Sequence, residues 1–166
     1  MRTILLLAIA SCAIGFDIPY SIPQQTVPGD AVSHAAGTVL SGSPVDPFEL
    51  DINLQEDEQA NHVSIVSHVY LTSLELDITS GGGDCFDFVQ SVSISVESTK
   101  PGTMLKPAII ATGSSPGCVQ QFVLTPTSVD LEPYIDEGAS VTSAGQGVPP
   151  DHDETFDGRL VLHAAT

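Results

Sequence analysis

Apolar and polar residues alternate along most of the chain beyond position 47. Phe48, Leu50, Ile52 and Leu54 are interleaved with Glu49, Asp51 and Asn53, a period of two that predicts a strand with one greasy and one acidic face. Val63 and Ile65 share a phase with Val69 and Leu71, whereas Leu74, Leu76 and Ile78 hold the opposite one. A bulge or strand break is therefore expected near Thr72 and Ser73. After a "GGG" turn at 81 to 83 comes the cleanest alternation, Phe86, Phe88, Val92, Ile94 and Val96 against Asp87, Ser91, Ser93 and Ser95. Short apolar runs at 105 to 111, 119 to 124 and 159 to 164 sit between Gly, Pro and Ser clusters, and "VDLEPYI" at 129 to 135 reads as a helical turn. About seven strands with no long helical period predict an all-β fold, an antiparallel β-sandwich of Ig-like type, with a partly open β-barrel as the alternative.

The pattern is different before position 48. Pro19, Pro23, Pro28, Pro44 and Pro47 lack amide donors and favour extended backbone, so residues 12–47 are expected to form a tether and residues 48–166 the sandwich domain. Within the tether Asp30 can cap a short helix over "AVSHAAGTVL", with Val32, Ala36 and Val39 on one side, although Gly37 works against it.

The first residues carry an address. Arg2, the apolar stretch Ile4 to Ala10 and small Ser11 meet the requirements of an export signal over residues 1–11. The run falls short of the roughly 20 apolar residues of a membrane span. Ile9, Ala10, Ser11 and Cys12 resemble the lipobox of bacterial lipoproteins, with Ile9 where Leu is usual and Ser11 where Gly or Ala is usual. The resemblance implies that Cys12 receives diacylglycerol and becomes the first residue of the mature protein. With Ala13 rather than aspartate following, it implies sorting to the outer membrane of a cell envelope. An anchor of several acyl chains on one residue holds where a single myristoyl does not. The competing reading takes Ala8, Ile9 and Ala10 as an ordinary cleavage site that frees a soluble protein from Ser11 onward.

Cysteine arithmetic bears on the same question. Of three cysteines, giving Cys12 to the lipid leaves Cys85 and Cys118 as a pair in an oxidising compartment. A bridge between them would contribute about 3 to 4 kcal/mol in the chain-entropy treatment. Free buried thiols are the alternative, and no C-x-x-C spacing points to metal.

Four Lys plus Arg stand against 21 Asp plus Glu, a net charge of −17 that repels phosphate backbones and excludes nucleic-acid binding. Because 42% of residues are hydrophobic and only 15% charged, this acidity sits on a chain able to fold. Asp151, Asp153, Glu154 and Asp157 gather hard oxygen ligands of the kind Ca²⁺ takes in sets of about six to eight. Their spacing is not that of an EF-hand, and a solvated acidic loop is the rival reading. No other cofactor is expected. "GSSPG" at 113 to 117 matches the nucleophile-elbow pattern around Ser115, but Pro116 has no N–H for an oxyanion hole. His34, His62, His68, His152 and His163 show no close ligand spacing, and no catalytic residue is assigned.

The expected protein is a lipid-anchored envelope lipoprotein, not an enzyme, whose sandwich serves protein contacts or envelope structure. Its partners would be the membrane, through the lipid, and an unidentified protein. A carrier of apolar ligand between the two sheets is the alternative, followed by an enzyme assembled from distant acids and histidines.

Overall fold

The computed structural model describes residues 15–42, 48–50, 59–60, 66–80 and 84–166. The strands are β1 (Gly15–Val27), β2 (Leu40–Gly42), β3 (Phe48–Leu50), β4 (His68–Ile78), β5 (Val89–Ser98), β6 (Ala108–Ser114), β7 (Gln121–Pro126), β8 (Ala139–Gly147) and β9 (Glu154–Ala165). Among the described residues α1 (Ala31–Ala36), α2 (Glu132–Glu137) and a 3₁₀ turn at Phe86–Phe88 accompany them, and residues 59–60 are also helical.

Among the described residues all pairing is antiparallel, and the pairs are nested: β1 with β9, β2 and β3 with β8, β4 with β7, β5 with β6. One half-sheet runs β1-β9-β4-β7 and the other β6-β5-β8-β2, with β3 also on β8. This is the order of a long hairpin rolled upon itself, a jelly roll. The all-β antiparallel sandwich expected from the sequence is present, with this wrapped connectivity in place of the Ig-like one. The two halves are continuous on one side only. β7 pairs with β4 through Gln121 to Leu124 and with β6 through Thr125 and Pro126, so the sandwich is also a sheet curled into an open half-barrel.

The alternation explains which side faces in. On β5, Val92, Ile94 and Val96 are buried while Ser91, Ser93 and Ser95 face outward. On β4, Val69 and Leu71 and then Leu74 and Leu76 are buried, and the register against β9 shifts between Leu71 and Ser73. The bulge at Thr72 is thus what keeps both halves of the strand facing the core, and its hydroxyl donates to the Val161 carbonyl at 3.0 Å. Leu74, Leu160 and Leu162 are buried nearly completely, each stabilising the fold by about 1.5–3 kcal/mol through removal from water.

Residues 15–27 correct the tether expectation. They form the thirteen-residue edge strand β1, paired with β9 from Gly15 opposite Ala165 to Val27 opposite Glu154. The alternating series Phe16, Ile18, Tyr20, Ile22 is a strand signal that the prolines masked. Ile18 and Ile22 join the core. Prolines are tolerated here because an edge strand has one row of N–H groups without a ladder partner, and Pro23 lies in the irregularity between Ile22 and Gln25. β8 was also unforeseen, since beyond Ala139 and Val141 it carries mostly small polar residues. The remainder of the expected strand at 48 to 54 lies outside the described residues after Leu50, as do Cys12, His62, Val63, Ile65 and the "GGG" turn.

Both expected helical segments form in part: α1 ends at Ala36, with Val39 beyond it and Leu40 already in β2, and α2 begins only at Glu132. The Asp30 carboxylate accepts from the Val32 and Ser33 amides, and Gly37, with φ of 64°, closes α1 in the left-handed conformation. Ahead of α2, Leu131 is fully buried and the Tyr134 hydroxyl donates to the Lys106 carbonyl at 2.6 Å.

Cys85 and Cys118 are joined in a disulfide, Cα atoms 5.0 Å apart, linking the β4–β5 connection to the β6–β7 connection. Beside it Phe86 packs on Phe88, Phe122 and Phe156 with ring centroids 5.8–5.9 Å apart. A space of about 10 Å³, room for roughly one water, remains among these rings.

Candidate functional site

At the end of the sandwich where β1 finishes and β9 begins, three segments meet. α1 is held there by hydrogen bonds from the Asp30 amide to the Pro150 carbonyl, 2.8 Å, and between His34 Nδ1 and the Pro149 carbonyl, 2.9 Å. The Gly29 amide donates to Asp153 Oδ1 at 2.9 Å. A Cβ on Gly29 would come within 2.1 Å of the His152 backbone, so only glycine permits this contact without rearrangement.

The approach of the 28–30 segment and the start of β9 sets His152 among acids. Its Nδ1 is hydrogen-bonded to Asp151 Oδ1, and its Nε2 lies 3.4 Å from Asp84 Oδ1 and 3.4 Å from Glu154 Oε1. Glu154 is buried, with Oε2 accepting from the Ser80 hydroxyl. The Ser80 oxygen in turn accepts from the Thr155 amide at 3.1 Å. The hydrogen bond to Asp151 raises the pKa of His152, burial opposes, and the charges of Asp151, Asp84 and Glu154 add to the rise. Among the described residues, the ion pairs made by Lys and Arg are Lys100 with Glu137 and Arg159 with Glu75, both on other acids.

The proposed calcium ligands are not gathered at one centre. Asp151 and Glu154 approach His152, but Asp153 turns to Gly29 and Asp157 stands exposed on β9 opposite Asp77 of β4. Alternation is the reason: β9 begins at Glu154, which faces inward with Phe156 and Gly158, while Asp157 faces outward. Asp84 completes the cluster in place of Asp153 and Asp157. It is far from the others in sequence, and its one available signal was adjacency to Cys85, whose bridge ties that connection to the one between β6 and β7.

The remaining candidates are occupied elsewhere. His68 Nδ1 is 2.7 Å from Asp130 and His163 Nδ1 2.8 Å from Asp17. Ser115 lies in the loop after β6, its hydroxyl donating to the Gln90 carbonyl at 3.3 Å, with no helix following as an elbow requires. A surface groove of about 320 Å³ runs past Val27, Pro28, Gly42, Phe88, Val89 and Pro149. Among the described residues no helix is long and apolar enough to cross a membrane.

No protein-family model and no curated protein matches the chain. Solved structures similar to it include the decameric BFDV capsid protein, at 12% identity over 92% of this chain and 98% of that one, TM-score 0.46. The 60-mer BFDV capsid protein is 12% identical over 93% and 94%, TM-score 0.40. Mud crab tombus-like virus is 11% identical over 100% and 89%, TM-score 0.30.

Proposed function

We propose that the protein is an exported lipoprotein, anchored through Cys12 and displaying a non-enzymatic jelly-roll module at the surface of a cell-envelope membrane. The observation that carries this reading is the pairing of Cys85 with Cys118, which leaves Cys12 as the odd thiol directly behind the lipobox-like residues Ile9, Ala10 and Ser11. A disulfide also suits an oxidising compartment. The sandwich then acts as a body for protein contact or envelope structure, with its core of Leu, Ile, Val and Phe packed between the two half-sheets.

In this reading only Ala13 and Ile14 separate the acylated residue from β1, about 10 Å of extended chain. The start of β1 lies nearest the bilayer, and the His152 cluster lies at the strand's other end, about 40 Å away. The carboxylate-rich body stays off the anionic head groups by its own charge and is kept near them by the lipid.

The test is mass spectrometry of the mature N-terminal peptide with detergent-phase partitioning, beside Cys12→Ala. A thioether-linked diacylglycerol on Cys12, with transfer of the Cys12→Ala protein to the aqueous phase, supports the reading. An unmodified N-terminus at Ser11, or an aqueous wild-type protein, overturns it.

A further inference from the structure

We propose that Asp84, His152 and Glu154 form a binding site for one divalent transition-metal ion of the zinc class. Their ligand atoms lie within 4.8 Å of one another. The two separations that involve His152 Nε2 are both 3.4 Å. Metal–ligand bonds of about 2.0–2.1 Å at tetrahedral angles put neighbouring ligand atoms about 3.3–3.4 Å apart. Those two edges therefore already have the length that a shared zinc ion needs.

The supporting contacts point the same way. A metal-bound histidine ordinarily donates its other ring N–H to a carboxylate, and His152 Nδ1 is engaged by Asp151. With that proton on Nδ1, Nε2 is the ring atom left for a cation, and it faces two carboxylate oxygens. Glu154 is held by Ser80 through Oε2, which leaves Oε1 toward the centre. Asp84 is fixed by the bridge at the next residue, and His152 by the Gly29 contact. Each of the three has its own support, and the support comes from four different segments.

The ligand set also selects the ion. A nitrogen donor with two carboxylates suits zinc and its neighbours, whereas Ca²⁺ takes about six to eight oxygens, and Asp153 and Asp157 are turned away. His152 is 57% exposed at the side chain and Glu154 only 5%, so the centre opens to solvent on the histidine side and can take water as its fourth ligand.

The experiment is titration of the oxidised mature protein with Zn²⁺ at neutral pH after chelator treatment, followed by calorimetry and by thermal unfolding, with Co²⁺ as a spectroscopic probe. One Zn²⁺ per chain, a melting temperature that rises with Zn²⁺ but not with Ca²⁺, and tetrahedral Co²⁺ bands are expected. His152→Ala, at an exposed position, and Asp84→Asn, an isosteric change at a partly buried one, should abolish the bands, and Asp151→Asn should weaken affinity about 10- to 100-fold. Asp153→Asn should leave binding intact. Absence of stoichiometric binding by the folded wild type, binding unchanged in folded His152→Ala, or preference for Ca²⁺ overturns the site.

Discussion

Phe86 meets Phe156 nearly edge-on, ring centroids 5.8 Å apart and planes inclined at 63°, at the centre of a four-phenylalanine cluster behind the disulfide. Both rings are buried almost completely. Truncating either to alanine should cost about 3–5 kcal/mol of unfolding free energy. The pair should show a coupling of about 0.5–1.5 kcal/mol in a double-mutant cycle by urea unfolding. Additivity of the two truncations would show that the edge contact contributes nothing beyond area.

The Cys85–Cys118 bridge closes the loop containing β5 and β6, so its removal frees the unfolded chain more than it disturbs the folded one. The Cys85→Ser/Cys118→Ser protein should lose about 3–4 kcal/mol. Wild type should lose a similar amount under reductant, measured by urea midpoints with and without dithiothreitol.

β1 supplies a direct contrast between strand and tether. Ile18→Ala and Ile22→Ala each leave a hole beneath the edge strand and should cost about 2–5 kcal/mol. Pro19→Ala, with no amide hydrogen bond to lose, should stay within about 1 kcal/mol. Thermal melts in which all three behave alike would return residues 15–27 to the role of linker.

Asp130 ties the start of β4 to α2. Burial works to raise its pKa, but hydrogen bonds from His68 and from the Val69 and Glu132 amides outweigh it and hold the carboxyl below its ordinary value. A depressed folded-state pKa contributes stability above the unfolded value, about 3.9, which is lost as pH falls through the lower folded value. Stability measured by urea should therefore fall on acidification below about pH 4, with a shallower slope in Asp130→Asn. Identical acid limbs in the two proteins would remove Asp130 as a source of the effect.

The sequence made the strand character of β4 and β5 plain because their faces differ sharply: Val, Ile and Leu inside, Ser, Thr and acids outside. Even the slip at Thr72 was visible, since a bulge changes the parity of the apolar residues. β1 was hidden by its prolines, which mean a linker in isolation and an edge strand once a partner lies on only one side. β8 was hidden because its outer half packs small residues against neighbours rather than burying large ones. The site was legible in part. Glu154 and Asp151 stood out as acids, but the alternation that removes Asp157 depends on where β9 begins. The arrival of Asp84 depends on a long-range crossing that local spacing does not encode.

The ladder between β1 and β9 has a mechanical consequence. Its hydrogen bonds lie across the strand direction, so a pull on the residues before Gly15, resisted at the far end of the sandwich, loads β1 lengthwise. Rupture then requires the whole row of bonds to slide together, rather than opening one after another from the end.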